Sequence, residues 1–133
     1  MRKLTMFAAG FSLLVLAVPV LAHHSFAAEF DANKPINLTG AVTKIEWSNP
    51  HVWFYVDVKD DSGKVSNWGF EMGSPNGLMR AGWTRKSMNV GDIVAVEGSR
   101  AKDGSNLGNA RTITIAGTGQ KLFGASSQVQ QQQ

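Results

Sequence analysis

Between residues 36 and 115 the chain is written in short stretches rich in Val, Ile, Thr and Trp, each ended by a turn signal. Only one place in this span can start a helix. β-branched and aromatic residues suit a pleated, half-buried surface, so the spacing predicts an all-β domain. The first strand-like segment covers residues 36–47, with Gly40 inside it, where a barrel strand bends or bulges. Ser48-Asn49-Pro50 is a turn, because Pro fixes φ and lacks a donor. The second segment covers 51–58. Asp60-Asp61-Ser62-Gly63 reads as a four-residue hairpin loop, with Gly available for positive φ. The third covers 65–72. Ser74-Pro75 then starts a short helix, Ser as N-cap and Pro at the first helical position. The fourth and fifth segments cover 93–98 and 110–115.

Three strands, a short helix and two strands is the element order of the OB-fold. The expected fold is therefore all-β, a small five-stranded OB-like Greek-key barrel with one short helix between strands 3 and 4. The run from Gly91-Asp92 to Glu97-Gly98 resembles the fourth-strand text of that fold. A β-sandwich would want more strands, and closure removes the open edges of a lone five-stranded sheet.

Residues 1–22 have the pattern of a secretory signal. Arg2 and Lys3 precede an apolar run over residues 4–20, and Val20-Leu21-Ala22 presents a cleavage site. The competing reading is a membrane anchor. The run barely reaches the length that about 30 Å of hydrocarbon needs, and Pro19 interrupts its end. Cleavage after Ala22 leaves 111 residues with a formal charge of +1. Residues 23–35 are then expected as an N-terminal arm, 36–124 as the barrel and 125–133 as a disordered Gln-rich tail. The expected location is the periplasm, with no membrane span after cleavage.

Composition excludes several classes. At 43% hydrophobic and 17% charged the chain is too apolar for disorder. The absence of cysteine excludes disulfide scaffolds, thiolate metal sites and cysteine nucleophiles. A near-neutral mature domain without a Lys/Arg run does not look like a nucleic-acid binder. Enzyme signals are weak. Ser25, Ser66 and Ser74 lack the text of a nucleophile elbow, residues 104–108 lack the context of a phosphate loop, and Glu71 with Asp57 offer at most a carboxylate pair. The chain reads as non-enzymatic.

Two sets of residues are candidates for binding. Pairing Lys59 with Lys64 puts His51, Trp53, Tyr55 and Asp57 on one face with Ser66, Trp68, Phe70 and Met72. Val52, Phe54, Val56 and Val58 then share the other face with Val65, Asn67, Gly69 and Glu71. Either face is apolar enough to be the core. In one reading the aliphatic face fills the barrel and the helix or arm covers the aromatics. In the other, Trp53, Tyr55 and Trp68 form a partly open platform on the strand 2–3 surface, where OB-folds bind ligands. Such a platform suits stacking on sugars, bases or peptide side chains.

The second set is His23, His24 and His51. Cleavage after Ala22 makes His23 the mature N-terminus, with its α-amine and ring nitrogen able to chelate one metal. A further nitrogen from His24 or His51 completes a three-nitrogen set that suits Cu(II). Glu29, Asp31 and Asp57 could add oxygen ligands, and Met72, Met79 and Met88 are softer candidates for Cu(I). The competing reading makes His23 and His24 a solvated end and His51 an ordinary strand start.

His23-His24-Ser25-Phe26, Trp47 with Asn49-Pro50-His51-Val52-Trp53, Asn67-Trp68, Trp83 and Gly91-Asp92 resemble an uncharacterised family of small exported bacterial proteins, a domain of unknown function. The resemblance covers residues 23–124. It implies export and a compact domain, and it includes the His pair and the Asn-Pro-His segment, but it transfers no activity. The expected function is an exported periplasmic binding protein with copper held by His23, His24 and His51. The alternative is a metal-free interaction module that takes a small ligand or a periplasmic protein on Trp53, Tyr55 and Trp68.

Overall fold

The structure, a computed structural model, describes residues 26–125. In chain order the elements are α1 (Phe26–Glu29), β1 (Phe30–Glu46), β2 (Trp53–Lys59), β3 (Val65–Glu71), α2 (Pro75–Arg80), β4 (Ile93–Ala101), β5 (Leu107–Ile115) and β6 (Lys121–Phe123). The fold is all-β. The six strands form one sheet in the order β3-β2-β1-β4-β5-β6, and β3 also pairs with β5. That pairing is parallel and the others are antiparallel. Hydrogen-bonded neighbours therefore run in a closed circuit: β1, β2, β3, β5, β4 and back to β1. No helix among the described residues is long and apolar enough to cross a membrane.

β1 serves two neighbours in turn. Residues 30–41 pair with β4, and residues 40–46 pair with β2. The strand is handed over at Gly40, which opposes Val58 on one side and Val94 on the other. A Cβ added there would lie 2.1 Å from the Asp57 carbonyl oxygen, so only glycine allows this approach.

Several boundaries differ from the sequence expectation. From Phe26 onward the expected arm is α1 and the start of β1. The pairing with β4 breaks register between Asp31 and Pro35, and the exposed Ala32-Asn33-Lys34 text in that break masks any alternation. The described residues form six strands rather than five. The sixth has three residues, too few for a period to show. β5 begins at Leu107 rather than at residue 110, because its first residues pair with β3.

The core is built from the inward side of each strand. Phe54, Val56, Phe70, Val94, Val96 and Ile113 are each 0% exposed. Leu78 of α2, Trp83 and Met88 join the same cluster. Ser74 caps α2 as expected, its Oγ accepting the Gly77 N–H at 3.1 Å, with Pro75 at the start of the helix. The Trp83 indole N–H donates to the Phe123 carbonyl at 2.9 Å and ties β6 to the segment after α2. A second cluster of Phe26, Phe30, Ala101 and Ala125 pins α1 against the end of β4.

Candidate functional site

The β2–β3 hairpin decides which side chains face outward. The Asp60 N–H bonds the Lys64 carbonyl and the Gly63 N–H bonds the Asp60 carbonyl, both at 2.9 Å. Gly63 has φ +86°. The loop is thus three residues long and ends in a left-handed glycine, a common hairpin closure. The Asp60 carboxylate holds it, accepting from the Ser62 N–H, the Ser62 hydroxyl and the Lys64 N–H. Lys59 consequently opposes Val65, not Lys64. A one-residue shift turns every β3 side chain to the other face.

This corrects the aromatic platform. Trp53 and Tyr55 are half-buried on the outer face, while Phe54 and Val56 point into the core. Trp68 lies on the opposite face from Trp53 and Tyr55. It stacks on Phe70 with centroids 6.2 Å apart and packs against the core. The Arg100 guanidinium sits 5.2 Å over its ring and donates to the Gly104 carbonyl at 2.6 Å and the Ser105 carbonyl at 3.3 Å. Trp68 therefore anchors the β4–β5 loop and belongs to no outer platform. Beside Tyr55, the Lys44–Glu46 ion pair holds Lys44 above and Glu46 below their ordinary values, chiefly through their shared hydrogen bond. The Tyr55 hydroxyl donates to Glu46 at 3.4 Å.

The same register brings His51 to Glu71. Val52 bonds Gly73 by its N–H and accepts from the Met72 N–H, which carries the ladder one pair beyond β2. His51 then lies diagonally across from Glu71, and its Nδ1 bonds the Glu71 Oε1. Their side chains are 25% and 10% exposed. A carboxylate at Nδ1 favours the Nδ1–H tautomer and leaves the Nε2 lone pair for another partner. Asp57 opposes Asn67 and accepts from its amide at 2.8 Å, four positions along β2 from Trp53, the residue that opposes Glu71. Met72 and Met88 are buried in the core and Met79 is exposed. His23 and His24 lie outside the described residues. Among the described residues no group of three or more His, Asp or Glu could hold a metal ion.

Next to Trp53 is a cavity of about 370 Å³. Its apolar wall is Ala28, Phe30, Trp53, Ala101 and Leu107, and its charged rim is Glu29, Lys102 and Asp103. Gly69 permits the packing beneath it, since a Cβ there would come within 2.8 Å of Leu107 Cδ2 and 3.1 Å of Tyr55 Cε1. Lys102 and Leu107 carry no signal in the sequence. They arrive through the β3–β5 pairing and the β4–β5 loop.

A family model described as a family of unknown function, DUF6152, matches residues 10–118. The chain belongs to that family. The match spans His23, His24, His51, Trp53 and Glu71, so the DUF6152 region contains both the histidine–carboxylate pair and the wall of the cavity. No curated protein matches the chain.

Proposed function

We propose that this DUF6152 protein is an exported periplasmic binding protein that holds copper between its mature N-terminus and His51. The observation that carries the reading is the His51 Nδ1–Glu71 pair. Histidines that ligate metals commonly donate their other ring N–H to a carboxylate, which fixes the ring and raises its basicity. A second observation supports reach. Ala28, Glu29 and Phe30 line the same cavity as Trp53, so the chain enters the described domain on the side of β2 that His51 begins. Phe26 is three residue steps from His23, and an extended chain of that length spans about 10 Å. The histidine nitrogens and a free α-amine form a donor set suited to Cu(II).

We also read the closed circuit as an OB-like Greek-key barrel. Its support is the β1-β2-β3-β5-β4 order, the parallel β3–β5 contact and a helix between β3 and β4. OB-folds bind ligands on the strand 2–3 surface near the β4–β5 loop. That favours a second reading without metal, in which the outer side of β2, carried by Trp53 and Tyr55, receives a small ligand beside the cavity.

The test of the copper reading is a Cu(II) titration of protein processed to begin at His23. One-to-one binding is expected. It should be lost when one extra residue precedes His23, lost in His51→Ala, and weakened about 10–100-fold in Glu71→Gln. Equal weak binding in all four samples would overturn the reading.

A further inference from the structure

We infer that, in the metal-free mature protein, the α-ammonium of His23 is seated between Glu71 and Asn109. The inference rests on the reading that starts the mature chain at His23, and it names what holds that end in the absence of metal.

Asn109 carries the inference. The residue is 4% exposed, yet its side-chain amide makes no hydrogen bond among the described residues. A buried amide without a partner is costly, and native structures keep few of them. No fully enclosed side-chain nitrogen or oxygen among the described residues lacks a partner, so the Asn109 amide stays within reach of an incoming group. Register fixes where it is reached. Asn109 pairs in parallel with Glu71, and Glu71 pairs with Trp53. Leu107, two residues before Asn109, lines one cavity with Trp53. Strand residues two apart share a face, so Asn109 and Glu71 both lie on the outer face of the circuit.

Glu71 holds the His51 Nδ1, and a carboxylate accepts up to about four hydrogen bonds. Asn109 adds a carbonyl oxygen. Two acceptors, one of them charged, suit a small cationic donor, and an ammonium is all donor. The surroundings favour that sign. The next cation on β5, Arg111, is exposed and acts on Glu97. The cavity rim on the same face sets Glu29 and Asp103 against Lys102. Tethering then selects which ammonium. Phe26 packs with Ala101 and Ala125. Ala101 is two residues beyond Ser99, which opposes Asn109. Ala125 follows Gly124, whose N–H bonds the Arg111 carbonyl and whose carbonyl accepts from the Gly73 N–H. Arg111 and Gly73 are each two residues beyond Asn109 and Glu71. Phe26 therefore packs against two segments that border the Glu71–Asn109 pair. Three residue steps, about 10 Å when extended, bring the His23 amine into reach, and a tether that short gives an effective concentration on the order of millimolar.

The test is a stability cycle on metal-free protein that mass spectrometry shows to begin at His23. Selective acetylation of the α-amine removes its charge. It should lower the folding constant of the parent about tenfold. In Glu71→Gln and in Asn109→Leu it should lower that constant less than about twofold. Asn109→Asp keeps an acceptor oxygen and should preserve or enlarge the effect of acetylation. Should Glu71→Gln fail to fold, the two Asn109 variants still decide. In the parent, acetylation should also move the side-chain amide signals of Asn109 in nuclear magnetic resonance spectra. An acetylated parent as stable as the free one, with Asn109 unmoved, would overturn this inference alone, since the copper reading stands on its own titration. An undiminished loss in Asn109→Leu would put the ammonium elsewhere and overturn the seat. A mature chain that begins at another residue would overturn this inference and the copper reading together.

Discussion

His51 is marked in the sequence by its place in the Asn49-Pro50-His51 segment, but nothing beside it in the chain names its partner. Its chemistry comes from Glu71, a buried residue whose carboxylate occupies one of its two ring nitrogens. The remaining nitrogen is what a metal or another polar partner can use. Glycines show the same dependence on neighbours. Gly98 and Gly117 look alike as text. A Cβ on Gly98 would lie 1.9 Å from the Asn109 carbonyl oxygen, whereas one on Gly117 meets nothing within 4 Å. Gly98→Ala is therefore expected to lower stability by about 2 kcal/mol or more, and Gly117→Ala to change it by less than about 0.5 kcal/mol. Urea denaturation of the two variants checks this, and equal midpoints would contradict the close approach.

Elements carry the local chemistry that the sequence displays. The Ser74-Pro75 helix start and the β-branched strands form where propensity and capping place them, because each depends on a few adjacent residues. The β2–β3 hairpin is different, since its loop length sets the register of both strands. One left-handed residue at Gly63 makes Lys59 oppose Val65, and that single step separates Trp68 from Trp53 and Tyr55. Gly63→Val is expected to destabilise by about 1–2 kcal/mol, because a Cβ crowds the left-handed conformation, while Gly63→Asn should cost less. Thermal melts of the two variants test this. A Val variant as stable as the parent would mean that the loop closes in another way.

At the scale of the molecule, several exposed carboxylates are tuned in the same direction. Glu97 is held below its ordinary value of 4.5, chiefly by the Thr112 hydroxyl and then by Lys121. Asp60 and Asp103 are held below 3.8, chiefly by the hydroxyls of Ser62 and Ser105. A carboxylate whose folded pKa is depressed contributes stability above its unfolded pKa, and that stability is lost as pH falls through the folded value. The melting temperature should thus stay level from neutral pH down to about 5 and fall below about 4.5, with a shallower fall in Glu97→Gln. A melting temperature that rises on acidification would contradict these contacts. The circuit of strands is also a property of the whole. By itself the sequence determined the all-β class, the helix start, the turn positions and the family motif, because these are written in residues that lie side by side. Only the tertiary structure decided the rest. The parallel β3–β5 pairing joins residues nearly forty positions apart and has no local signature. The faces of β3 turn on one residue of register. The His51–Glu71 pair follows from that same register, and the cavity beside Trp53 exists because closing the circuit brings together residues whose own neighbours do not encode the contact.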